Sequence, residues 1–128
     1  MNLSDLSKKM DNLSKKVEED VNKIAKEVAM EVVTYLAYKT PVDTSKALSN
    51  WQVGINTAKT SEIEAYSPGN NGSTQGASAA TTINNADSAL KARKFGQDIH
   101  ITNNAEYIKD LENGSSRQAP TGFVAFAI

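Results

Sequence analysis

The 128-residue chain balances 14 Lys and Arg against 15 Asp and Glu, and 39% of its residues are hydrophobic but only 6% aromatic. That size fits one domain with a modest core, and a net charge of −1 lacks the basic surplus of a general nucleic-acid binder. With no cysteine and a single histidine, disulfide frameworks and thiolate metal sites are excluded, and no cofactor is expected.

The opening stretch, MNLSDLSKKMDNLSKK, is polar and lacks the apolar core of a signal peptide. No later apolar run approaches the roughly 20 residues of a membrane span, so a soluble protein made in the cytoplasm, with no membrane partner, is expected. Residues 4–39 are predicted to form one long helix. Leu3, Leu6, Met10, Leu13, Val17, Val21, Ile24, Val28, Val32 and Leu36 recur at steps of three and four, which keeps them on one face. Ser4 or Asp5 is placed to cap its start, and Pro41 stops it. At 1.5 Å per residue such a helix is a rod of about 50 Å, longer than a domain of this size needs.

The two halves of this rod differ. Leu3, Leu6, Met10, Leu13 and Val17 form a narrow stripe among Lys, Asp, Glu and Ser, whereas Ala25, Ala29, Val33, Tyr35 and Ala37 widen the apolar face further on. A narrow stripe suits a helix partner and a wide one suits a sheet. Residues 24–38 are therefore expected in the core. Residues 1–17 are expected as a projecting arm, contacting another subunit through Leu6, Met10 and Leu13 or staying mobile, and 18–128 as a single domain.

Beyond the rod, Asp43 or Thr44 is positioned to cap a short helical turn through Leu48. Trp51, Val53 and Ile55 alternate with Gln52, Gly54 and Asn56, the period of a half-buried strand; 63–66 is a poorer strand candidate. Residues 67–78, rich in Gly, Asn and Ser, read as a flexible loop. A helix is predicted over 77–94, stopped by Gly96, and a strand around Ile99 and Ile101. A short helix capped by Asn104 should then bury Tyr107, Ile108 and Leu111 and end at Gly114. Pro120 is suited to open a last helix, which has no room to finish; the chain is expected to continue past Ile128 or to end against a partner.

Catalytic constellations are thin. His100 sits at an alternating strand position with no second histidine or cysteine to complete a metal site, and no Gly-x-Ser-x-Gly elbow accompanies the serines. Asp43 is better explained as a cap than as a catalytic acid. The Gly69 to Gly76 loop lacks the Gly-Lys-Ser/Thr ending of a phosphate cradle and holds no basic residue. Lys8, Lys9, Lys15 and Lys16 alternate with acids as on a solvated helix face, and Arg117 is the one charge in a small polar loop, a residue type favoured at interfaces.

Three stretches carry a resemblance: Thr40-Pro41-Val42-Asp43-Thr44 leading to Asn50-Trp51; Ile101-Thr102-Asn103-Asn104-Ala105-Glu106-Tyr107-Ile108; and Leu111-Glu112-Asn113-Gly114-Ser115-Ser116-Arg117-Gln118-Ala119-Pro120-Thr121-Gly122-Phe123-Val124. In this order they resemble the tail-completion, or neck, proteins of lambda-like tailed phages. Ser45 stands where that family usually has Gly, which leaves the turn geometry open. The resemblance implies an α+β fold, a long helix packed on a small antiparallel β-sheet with one or two further short helices. It implies no catalysis, and a homo-oligomeric ring of six or twelve copies at the head–tail junction of a virion. Its partners would be the portal-side connector or adaptor and the tail terminator or tail tube proteins. Candidate contact residues are Leu6, Met10, Leu13, Arg117, Gln118, Pro120 and Phe123. Competing readings are a DNA-contacting protein of the same junction, with Lys91, Arg93 and Lys94 facing the lumen, a tail terminator, or a small hydrolase using His100.

Overall fold

The computed structural model describes residues 2–113, apart from the Glu112 side chain. The helix expected from Pro120, the contacts assigned to Arg117, Gln118, Pro120 and Phe123, and any continuation past Ile128 lie outside the described residues. The fold is α+β. Helix α1 (Leu3–Lys39) is followed by the short α2 (Lys46–Ser49), strand β1 (Trp51–Ile55), helix α3 (Gln75–Lys91), strand β2 (Ile99–Asn103) and the short α4 (Ile108–Glu112). The two strands pair antiparallel, with Val53 opposite Ile101 and Ile55 opposite Ile99.

Helix α1 begins one residue earlier than its sequence pattern indicates. Asn2 is the N-cap, its side-chain carbonyl accepting the Asp5 N–H at 2.9 Å, so neither Ser4 nor Asp5 has that task. At the other end Thr40 is extended (φ −64°, ψ 126°), as the residue before a proline must be. The Thr40 hydroxyl donates to the Leu36 carbonyl at 2.6 Å and accepts the Trp51 indole N–H at 2.7 Å. One side chain thus ends the helix and anchors the chain's only tryptophan against it.

The core is built largely from small residues. Ala29 and Val33 of α1, Val53 of β1, and Ala86 and Leu90 of α3 form one cluster; Leu36 and Trp51, flanked by Ile101, Ile108 and Leu111, form a second. Ala37, Val42, Leu48 and Ala79 form a third. Alanine at these contacts lets helix backbones approach closely, which explains how a chain poor in aromatics closes its interior. Gly54 in β1 is required by a close approach: a Cβ there would collide with the Thr57 carbonyl oxygen.

Four expectations are corrected. Residues 63–66 are not a strand: they belong to an irregular strap between β1 and α3, because side chains rather than a neighbouring strand take their backbone groups. The strap is fastened by Asn50, which bonds both the N–H and the C=O of Ile63 at 2.9 Å, by the Ser49 hydroxyl accepting the Tyr66 N–H, and by Ser78 bonding Ser67. Asn104 does not cap α4; its amide donates to the Lys59 carbonyl, and the N-cap position belongs to Tyr107. Asp43 does not cap α2 but accepts the Asn71 N–H at 2.6 Å, while its carbonyl accepts the Gly72 N–H. The α2 N-cap is Ser45, in the left-handed region at φ 70°, with its hydroxyl 2.8 Å from that of Thr74. Glycine adopts that conformation without steric cost, so the glycine usual at this point has a physical reason. Helix α3 also starts two residues before its pattern indicates, taking the end of the expected loop into its first turn.

Candidate subunit interface

Helix α1 carries two apolar faces. The buried residues Ala29, Val33, Leu36 and Ala37 define one, turned toward α3 and the sheet. At 100° per residue the stripe through Leu6, Met10, Leu13 and Val17 points roughly 145° away from it. Every residue from 2 to 21 is exposed, with Met10 at 62% and Leu13 at 64% of full accessibility.

The stripe does not turn inward at residue 24. Ile24 is 58% exposed and Val28 54%, so both remain on the outer face with Val21, although their spacing had placed 24–38 in the core. Only beyond Val28 is this direction partly buried, where Val32 and Tyr35 pack against the Leu36 and Trp51 cluster that also takes in Ile108 and Leu111 of α4. The residues that enter the core are Ala29, Val33, Leu36 and Ala37 on the opposite side. Full burial of such Leu, Ile, Val and Met side chains contributes roughly 1.5–3 kcal/mol each, which the isolated chain leaves unused.

The residues named for the DNA-contacting and hydrolase readings lie elsewhere on the fold. The Arg93 guanidinium donates to the Gln97 carbonyl at 2.8 Å and to the Asn22 side-chain oxygen, tying the end of α3 to α1. Lys91 pairs with Asp87 at 2.9 Å, and Lys94 is exposed at the turn after α3. His100 lies half-buried in β2 opposite Gly54. Among the described residues no group of three or more His, Asp or Glu is arranged to hold a metal ion, and no helix is long and apolar enough to cross a membrane.

The fold does bring together two stretches that are far apart in the chain. Residues 41–45, Ala47, Tyr107 and Leu111 line an open cleft of about 310 Å³. Next to it Lys46 sits 3.5 Å from Glu62 and 3.8 Å from Glu64. Partial burial opposes the Lys46 charge, but the two carboxylates outweigh it and hold its pKa above the ordinary lysine value.

The family described as "Bacteriophage HK97-gp10, putative tail-component" matches residues 4–114. The chain belongs to this HK97-gp10-like family. No curated protein and no solved structure matches it. Membership agrees with the resemblance carried by the Thr40–Thr44 and Ile101–Ile108 motifs, and the match takes in both faces of α1, the sheet and α4. An HK97-gp10-like chain is a bacteriophage tail component, a structural protein of the virion that works in contact with other phage head or tail proteins.

Proposed function

We propose that this HK97-gp10-like protein is a tail-completion or neck subunit: copies of it form a ring of six or twelve that joins the head connector to the tail. The observation that carries the reading is the apolar stripe of α1, exposed from Leu3 to Val28 on the side away from the core, in a chain whose family is a phage tail component. A face of this length left open to water is the mark of a surface covered in an assembly. Leu6, Met10 and Leu13 are its contact residues at the arm. The role is mechanical rather than catalytic: the domain around β1, β2 and α3 positions the rod, and the rod reaches a neighbour.

The test is a phage carrying a disrupted gene for this chain, complemented in trans. Full heads and complete tails that fail to join, rescued by the intact gene, are the expected result, with rings of the purified protein bound to connector or tail tube proteins seen by electron microscopy. Infectious, fully joined particles in the absence of the chain would overturn the proposal.

A further inference from the structure

The stripe on α1 has a symmetry of its own. Leu13 and Val21 lie four residues either side of Val17, Met10 and Ile24 seven, and Leu6 and Val28 eleven. The heptad spacing that runs from Leu3 to Val17 is interrupted there by a single extra step of four, so the pattern reads the same in both directions from Val17. All seven of these side chains are exposed. The next position outward on the N-terminal side, Leu3, has the charged Glu31 as its mirror, and from Val32 onward the face is partly buried against the Leu36 and Trp51 cluster. The symmetric part is thus also the uncovered part.

Charge follows the same plan. On one flank of the stripe stand Lys9 and Lys16, then Asp20 and Glu27, all exposed; on the other stand Ser7, Ser14 and Ala25, with Glu18 the one charge among them. Two helices packed antiparallel set like flanks side by side, whereas parallel helices set unlike flanks side by side. Antiparallel pairing about Val17 therefore sets Lys16 beside the second copy's Asp20, and Lys9 beside its Glu27, twice over. Parallel pairing sets the charged flank against serine and alanine, apart from Glu18, which stands two residues from both Lys16 and Asp20 of the neighbour, so its attraction and repulsion offset. Among the described residues Glu27 makes a long 4.0 Å contact to Lys23, between exposed side chains, which does not compete strongly.

We propose that two copies of this chain pair through α1, antiparallel, about a two-fold axis at Val17, so that Leu6, Met10 and Leu13 of one copy pack on Val28, Ile24 and Val21 of the other. The overlap is about 33 Å long at 1.5 Å per residue. Such a contact closes at two copies and is not the repeating step of a one-way ring. It is the state of the free protein, covering the stripe before assembly. The inference deepens the reading of α1 as a contact face. It is tested on the purified chain alone, so its failure and that of the ring are separable.

The native chain has no cysteine, so single cysteines report the pairing directly. Under mild oxidation Val17→Cys should link to itself. Leu6→Cys alone should not, since its two copies lie about 33 Å apart, yet Leu6→Cys mixed with Val28→Cys should link. These positions are exposed, so the fold tolerates the changes. Lys9→Glu/Lys16→Glu and Asp20→Lys/Glu27→Lys should each weaken the dimer about tenfold in sedimentation equilibrium, and a mixture of the two should restore it. Self-linking of Leu6→Cys as fast as of Val17→Cys, a mixture no tighter than either charge variant, or a monomer at every concentration would overturn the proposal.

Discussion

The side-chain amide of Asn50 holds both backbone groups of Ile63, accepting its N–H and donating to its C=O at 2.9 Å each. The same amide nitrogen also donates to the Lys46 carbonyl at 2.8 Å, so a buried primary amide has every strong bonding direction used. It replaces the strand that 63–66 would otherwise need. Asn50→Ala leaves the Ile63 N–H and C=O without their side-chain partner at a part-buried site and should cost about 2–3 kcal/mol, or roughly 10 °C in melting temperature by calorimetry. Asn50→Asp, which keeps an acceptor but loses the donors, should be no better at neutral pH.

Ser45 combines a left-handed backbone with a hydroxyl bond to Thr74, two effects of opposite sign. Ser45→Ala keeps the strain and loses the bond, and should destabilise by about 1–2 kcal/mol. Ser45→Gly loses the bond but relieves the strain, and should change stability by less than about 1 kcal/mol. Denaturant midpoints of the two variants decide it: equal losses would show that the backbone conformation carries no cost.

Replacing Leu6, Met10 and Leu13 together by Ser removes apolar surface from the exposed arm without touching the core. Trp51 is the only tryptophan and is buried against Leu36, so its fluorescence reports core unfolding alone. At protein concentrations where the chain is monomeric, the expected outcome is an unchanged Trp51 melting transition, with a loss of joined phage particles of about tenfold or more. A lowered transition would show that the arm folds back on the domain.

The ion pairs of Lys46 give a defined pH response. Because its folded pKa is raised, the stability it contributes is fully present below the ordinary lysine value of 10.5 and is lost as pH rises through the folded value. The difference in melting temperature between the native chain and Lys46→Met should therefore hold constant from about pH 7 to about pH 9 and shrink at about pH 11.5. A difference that grew with alkalinity would contradict the raised pKa.

The basic residues at the end of α3 divide by task. Lys91→Glu and Lys94→Glu should leave the fold intact, and packaged-DNA retention in the virion should stay at the native level. Arg93→Glu breaks the bonds to Asn22 and Gln97 and should lower stability by about 1–3 kcal/mol in thermal melts. A loss of DNA retention with Lys91→Glu and Lys94→Glu would favour a lumen-facing role for these residues.

The sequence alone determined the rod, the two strands and the short last helix, because periods of 3.6 and 2 are local properties written in the side chains of α1, β1, β2 and α4. It also determined the symmetric stripe about Val17 and the order of motifs that matched a phage family. It could not tell which of two apolar faces of α1 goes inward. Ile24 and Val28 are more hydrophobic than Ala29, yet the alanine is buried, because only small side chains let α3 and the sheet approach the helix. Nor could it show that Asn50, Ser49, Ser78 and Asp43 hold the strap and loop in place. Those bonds join residues 13, 17, 11 and 28 positions apart, and such distances close only when tertiary packing brings the partners together.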